Sequence, residues 1–201
     1  MNPNIDWNYP PPRTGWRKEI DTFIGPGVTR AELALEWFVS LAGGLGMLAY
    51  ALTWPLGWTG WQIALAVLLA FDLAGGVVTN ATSTAKRWYH RPGQGLREHI
   101  TFIAVHGIHL ALVGWLFRSG DWAWTIAWFA FLMLASTLIL SLPLYLQRPT
   151  AFSIFGLGLL LSIYIDSPIP GLEWFIPAFL LKLLLSHLLR EEPYRPQSKG
   201  I

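Results

Sequence analysis

Residues 61–91, WQIALAVLLAFDLAGGVVTNATSTAKRWYHR, decide the fold of this chain. Their first part, 61–83, is mostly apolar, and about 20 apolar residues in a helix cross the hydrocarbon layer of a membrane. One carboxylate, Asp72, interrupts this run, and the stretch ends in a basic and aromatic cluster. The stretch therefore predicts a transmembrane helix that holds an acid near its middle.

The composition of the whole chain is that of a membrane protein. Of its 201 residues, 53% are hydrophobic and 13% are charged, and the mean hydropathy is +0.42. A soluble domain carries about 25% charged residues. The sequence contains no cysteine, which excludes disulfides, thiolate metal sites and cysteine nucleophiles. The net charge of +2 gives no indication of nucleic-acid binding, and we expect no nucleic-acid partner.

Apolar runs predict an all-α, polytopic bundle of six transmembrane helices, separated by turns rich in Gly and Pro. The runs are 33–54, 61–83, 98–118, 122–146, 150–166 and 171–190. Residues 1–30 lack the early apolar segment of a secretory signal and are interpreted as a cytosolic or interfacial arm, or as a mobile tail. Residues 31–190 then form the transmembrane domain, and 191–201 form a cytosolic tail.

The basic residues predict that both termini are cytosolic. With the N-terminus inside, all but two of the 14 Lys and Arg residues fall in cytosolic segments; the exceptions are Arg118 outside and Lys182 within the sixth run. Lys and Arg are enriched on the cytosolic side of membrane proteins. We expect a multi-pass protein of the bacterial inner membrane.

Polar residues form a stripe on each of two neighbouring spans. Steps of four residues place Asp72 and Asn80 on one helix face, and steps of seven and three do the same for His99, His106 and His109. Counted from the shared cytosolic end, Asp72 and His106 lie at matching depth, about 12 Å inside, and Asn80 lies level with His99. We predict that Asp72 is buried and contacts His106 directly or through one water, with Lys182 as a competing partner.

These stripes predict a cavity that opens to the cytosol. The candidate catalytic residues are Asp72, His106, Asn80 and His99. The candidate substrate-binding residues, of which the basic ones suit a phosphate headgroup, are Arg87, His90, Lys86, Glu36, Lys182 and His187.

The first functional hypothesis is an intramembrane enzyme that acts on a lipid or isoprenoid substrate. Two histidines and a carboxylate are usual ligands of catalytic zinc or non-haem iron. Asp72, His106 and His109 would be those ligands, and the metal would activate a water for hydrolysis. Without a metal, Asp72 would donate or accept a proton itself.

The combination of an Asp, a Ser and several His resembles the ceramidase and progestin-receptor-like membrane hydrolases, which use such residues around zinc. Their histidines are arranged differently along the chain and include a closing HxxxH motif that this sequence lacks. The resemblance therefore implies a class of chemistry and no residue roles.

Other functions use the same residues. A small, homodimeric proton-coupled transporter or channel would need Asp, His and Lys near the membrane midplane. An accessory subunit of a larger complex, or a haem b protein that uses His99 and His187, are further alternatives. A purely structural interpretation makes Asp72 and Lys182 a buried ion pair. The sequence favours the enzyme, because the polar residues gather in the cytosolic half of the spans.

Overall fold

The structure is a computed structural model that describes residues 4–194, and the regular secondary structure of that range is helical. The helices are α1 (Trp16–Ile24), α2 (Arg30–Thr53), α3 (Gly60–Ala81), α4 (Ser83–Tyr89), α5 (Leu96–Val105), α6 (Gly107–Phe117), α7 (Trp122–Ser141), α8 (Leu144–Tyr164) and α9 (Phe175–Leu180), which continues as a π-helix (Leu181–His187).

Five helical segments are long and apolar enough to cross a membrane: α2, α3, α7, α8 and the combined α5–α6 segment, Leu96–Phe117. The predicted all-α, multi-pass bundle is thus confirmed. The sixth predicted run, 171–190, forms a shorter helix of six α-helical and seven π-helical residues. At about 1.5 Å per residue this helix is shorter than the hydrocarbon layer, so a sixth crossing stays a prediction.

Capping residues fix where α2, α3 and α4 begin and end. Thr29 and Thr59 each form a capping box at the start of α2 and α3. The second span was predicted to continue to residue 83, but α3 ends at Ala81. Thr82 leaves the helical conformation, and its hydroxyl accepts a hydrogen bond from the amide of Ala85, which starts α4.

Small residues allow α2 and α3 to pack very closely. A Cβ on Gly43 would lie 2.8 Å from the carbonyl oxygen of Ala70, and a Cβ on Gly75 would lie 1.9 Å from Oγ of Ser40. Neither position has room for a side chain, as is usual where transmembrane helices cross at small residues.

The short last helix forms the centre of the bundle. Phe175, Phe179, Leu183 and Leu184 are almost completely buried, and α9 with its π-helical continuation packs against α3, α7 and α8. Irregular backbone is tolerated at membrane depth where protein rather than lipid surrounds it. The irregular backbone of the π-helix is therefore surrounded by other helices and not by lipid.

The described ends of the chain meet at one end of the bundle. Ile5 pairs with Tyr194 in an isolated antiparallel bridge, and the amide of Asp6 donates to the carbonyl oxygen of Pro193 at 3.0 Å. The guanidinium of Arg190 lies 4.5 Å from the ring centre of Trp7. Both ends thus emerge on the same side.

The N-terminal arm is folded against the bundle. Arg13 binds the buried carboxylate of Asp21 through its side chain, at 2.6 Å for the shortest contact, and these hydrogen bonds lower the pKa of Asp21. Trp88 donates to the carbonyl oxygen of Thr22. Helix α1 exposes Trp16, as expected of a helix at the membrane surface; the interfacial location itself stays a prediction.

Reporter fusions test the topology. A reporter after Lys199, which lies outside the described residues, and one within residues 55–60 are expected on opposite sides of the membrane, the first in the cytosol. Alkaline phosphatase and fluorescent-protein activities of the paired fusions measure this. Detection of both reporters on one side would contradict the predicted topology.

Candidate functional site

Asp72 contacts two basic side chains. Its Oδ2 atom lies 2.6 Å from Nζ of Lys182 and 2.9 Å from Nε2 of His109. The contact with Lys182 agrees with the sequence prediction. Asp72 and His106 share no direct hydrogen bond within residues 4–194, since Nδ1 of His106 donates to the carbonyl oxygen of Phe102 at 2.7 Å; their contact through one water stays a prediction.

A break in the third span explains why Asp72 contacts His109 and not His106. The amide of His106 donates to the carbonyl of Ile103, and the amide of His109 donates to the carbonyl of His106, both at 3.0 Å. These bonds span three residues, as in a 3₁₀ turn, which is wound more tightly than an α-helix. At this irregularity His109, and not His106, hydrogen-bonds the carboxylate of Asp72.

A glycine provides the space for Lys182. A Cβ on Gly76 would lie 2.3 Å from Cε and 2.7 Å from Nζ of Lys182, whose side chain is only 4% exposed. Lys182 also lies in the π-helix, a geometry found frequently at functional sites. The ammonium group is thus held against α3 with Asp72 as its counter-charge.

Asp72 is not fully buried, which corrects the sequence prediction. Its side chain is 38% exposed. Leu68, one turn earlier on α3, is 65% exposed and shares this face, and Ile108 on the facing helix is also exposed. The carboxylate is therefore partly accessible at the surface of the bundle.

Both ring nitrogens of His109 have polar partners. Nδ1 lies 3.0 Å from the carbonyl oxygen of His106, and Nε2 lies 2.9 Å from the carboxylate of Asp72. The imidazole ring is therefore held between the break in the third span and the carboxylate on α3.

All five histidines of the chain lie in one row, which we call the histidine row. From Asp72 outwards, the rings of His109 and His106 are parallel with centres 5.3 Å apart. The ring of Phe102 follows, 4.6 Å from His106 and 3.9 Å from His187, on which it is stacked.

The other end of the row is hydrogen-bonded. Nδ1 of His99 and Nε2 of His187 are 3.1 Å apart and share one proton, whichever ring donates it. Nε2 of His90 donates to the carbonyl oxygen of His187 at 3.1 Å, and its ring lies 4.9 Å from that of His99. Sequence reasoning matched His99 and His187 in depth but missed Phe102, for which an apolar span offers no signal.

A cavity of about 530 Å³ reaches this end of the row. His99, His187 and Phe102 line its inner part, and Arg91 and Arg97 line its outer part. The predicted cavity was also lined by His99 and His187, but with different basic residues at its mouth; that it faces the cytosol stays a prediction.

Lys86 and Arg87, predicted to bind substrate there, are instead buried within the protein. Nζ of Lys86 donates to the carbonyl oxygens of Ser186 at 2.6 Å and Leu189 at 2.7 Å, near the end of the last helix. Burial lowers the pKa of Lys86 to about 8. Arg87 donates to the hydroxyl of Thr84 at 2.9 Å. Lys86 thus joins α4 to the last helix, whereas the bond of Arg87 lies within α4.

Two further predicted residues lie apart from the row. Asn80 is buried in α3, and no hydrogen bond joins it to His99 in the part of the chain that the structure describes. Glu36 lines a different cavity, between the N-terminal arm and α2.

Within residues 4–194, no three His, Asp or Glu side chains converge in a geometry that could hold a metal ion. Zinc or iron bound by Asp72, His106 and His109 stays a prediction of the sequence. The facing nitrogens of His99 and His187 hydrogen-bond to each other, which leaves no space for a haem iron between them.

Fold and site together define a helical, multi-pass membrane protein with a row of histidines that ends at an intramembrane ion pair. Comparison of the chain with protein-family models, with curated proteins and with solved structures finds no match.

Proposed function

We propose that the protein relays protons between the cytosol and an acid–base centre formed by Asp72, His109 and Lys182, as a small proton-coupled transporter or channel. The observation that carries this proposal is the single row in which all five histidines lie, from the 530 Å³ cavity to Asp72. Chains of Asp, Glu and His within spans are the usual proton relays of membrane proteins. This favours the transporter over the metal-dependent hydrolase that the sequence favours.

The row consists of two parts separated by an aromatic ring. His90, His99 and His187 exchange protons with the cytosolic cavity, and His106 and His109 exchange them with Asp72. Phe102 has no proton to pass on, so transfer between the parts requires a movement of its ring or an inserted water. Phe102 therefore controls the rate of the relay in this proposal.

A lipid-modifying enzyme is the second candidate, and the partial exposure of Asp72 favours it. A carboxylate that is 38% exposed at this depth is accessible to an isoprenoid or acyl chain from the membrane. Asp72 and His109 would then act as a general acid–base pair supplied with protons by the row.

Proton flux in proteoliposomes tests the proposal. Vesicles that contain a pH-sensitive dye and an imposed potassium gradient with valinomycin are expected to acidify faster with the protein than without it. Asp72→Asn is expected to reduce the rate to that of empty vesicles, because the amide keeps the shape but does not titrate.

A matched control is Asp166→Asn. Asp166 accepts hydrogen bonds from Trp124 at 2.7 Å and Trp128 at 3.1 Å, away from the row. This variant is expected to keep the wild-type flux. Equal flux in the Asp72 and Asp166 variants, or wild-type flux equal to that of empty vesicles, would contradict the relay.

A further inference from the structure

We infer a site for an anionic phospholipid in a small cavity between the start of α8 and the residues that follow the last helix. The cavity has a volume of about 230 Å³ and is lined by Leu144, Tyr145, Gln147, Arg148, Leu189 and Arg190. This volume is below the range of about 300–1,000 Å³ that is typical of small-molecule sites, so it suits a compact group such as a lipid phosphate. The five histidines and Asp72 lie outside this lining, and the inference does not depend on the proposed proton relay.

The charged residues of this lining are basic. Arg148 and Arg190 both line the cavity, and none of the described residues of the lining is acidic. A guanidinium group presents its N–H donors in a planar fork that matches the oxygen atoms of a phosphate. Two such groups at one cavity therefore indicate a phosphate ligand.

Glu191 compensates only part of the positive charge beside the cavity. Its carboxylate lies 3.0 Å from the guanidinium of Arg148 and 3.9 Å from Nζ of Lys86, so two cations share one negative charge. Arg190 forms no ion pair within residues 4–194, and its guanidinium lies 4.5 Å from the ring centre of Trp7. An anionic group in the cavity compensates the positive charge that remains.

The surface of α8 beside Arg148 suits an acyl chain. Helix α8 is long and apolar enough to cross a membrane. Successive steps of four and eleven residues place Phe152 and Ile163 on the same side of this helix as Arg148, and these two side chains are 55% and 56% exposed. Gly156 lies between them, and a Cβ there would meet no atom within 4 Å. A lipid whose phosphate binds Arg148 can therefore lay an acyl chain along α8.

Other ligands fit this cavity and its surroundings less well. A soluble phosphate would bind the arginines but would not use the apolar side of α8. A zwitterionic lipid would bring a positive charge of its own close to two arginines. Basic pockets between transmembrane helices on the cytosolic side bind anionic headgroups, and this cavity lies where the described chain ends meet, on the side predicted to be cytosolic. The ligand that matches charge and surface together is an anionic phospholipid such as phosphatidylglycerol.

Binding of dioctanoyl phosphatidylglycerol to the full chain in a non-ionic detergent tests this site. Isothermal titration calorimetry is expected to show saturable binding to the wild type. Arg148→Gln and Arg190→Gln are each expected to weaken the affinity about tenfold, the factor that follows from loss of one charge-assisted contact. Arg17→Gln removes the same charge from an exposed position on α1. It is the matched control and is expected to bind the lipid as the wild type does.

Glu191→Gln tests the site in the opposite direction. It removes the carboxylate that competes for Arg148 and is expected to tighten the affinity about two- to fivefold, as loss of an exposed ion pair implies. A damaged fold would not produce tighter binding.

Two further ligands identify the source of the phosphate. Dioctanoyl phosphatidylcholine is expected to bind more weakly than phosphatidylglycerol, and inorganic phosphate at the same concentration is expected not to displace the lipid. The inference is wrong if the wild type shows no saturable binding, if Arg17→Gln weakens binding as much as the two cavity variants do, or if inorganic phosphate displaces the lipid. Proton flux is a separate measurement, so this result and that of the relay are independent.

Discussion

Replacement of Asp72 by leucine is expected to destabilise the protein by about 3–5 kcal/mol, because it leaves a buried ammonium group without its counter-charge. The side chain of Lys182 is 4% exposed, and its Nζ atom lies 2.6 Å from Asp72. Lys182→Leu is expected to cost less, since Asp72 keeps His109 as a partner and is partly exposed. Denaturant unfolding in mixed micelles measures the free energies of unfolding of both variants.

The double variant Asp72→Leu with Lys182→Leu separates a structural pair from a functional one. Removal of both charges is expected to restore most of the stability, because apolar residues often replace a buried ion pair at little cost. Proton flux is nevertheless expected to stay at the level of empty vesicles, since the row then ends without an acceptor. A stable double variant with full flux would show that the pair is only structural.

The positions of the long helices were predictable because they depend on local composition. An apolar run indicates that its residues prefer a nonpolar environment. Both the lipid bilayer and the protein interior are such environments, so the run does not show which of the two surrounds it. This is why 171–190 resembled the other spans in sequence, although Phe175–His187 is surrounded by other helices. This helix can be short because its apolar residues are buried in the protein core.

The site was predictable in its depth and not in its lateral arrangement. Regular helical spacing placed Asp72 level with the third-span histidines, which was sufficient to place them near one another. The 3₁₀ turn at His106 and the π-helix that carries Lys182 and His187 both change the direction of side chains. Such irregularities depend on packing with neighbouring helices, so regular spacing could not predict that His109 faces Asp72.

The end of the histidine row at His90 predicts a loss of stability in acid. His90 lies after α4, outside the predicted spans, and burial lowers its pKa to about 3, with the positive charges of neighbouring groups such as Lys86 contributing. Its unfolded pKa is about 6.5. Between these values the unfolded chain binds a proton that the folded chain does not, so the contribution is complete above pH 6.5 and decreases as the pH falls.

The expected effect of this one histidine between pH 7 and pH 5 is about 2 kcal/mol, since each bound proton contributes about 1.4 kcal/mol per pH unit. His90→Gln is the control, because the glutamine amide can still donate to the carbonyl of His187 but does not titrate. Unfolding free energies at both pH values should therefore differ less for the variant than for the wild type. Equal pH dependence in the two proteins would mean that His90 titrates normally in the folded state.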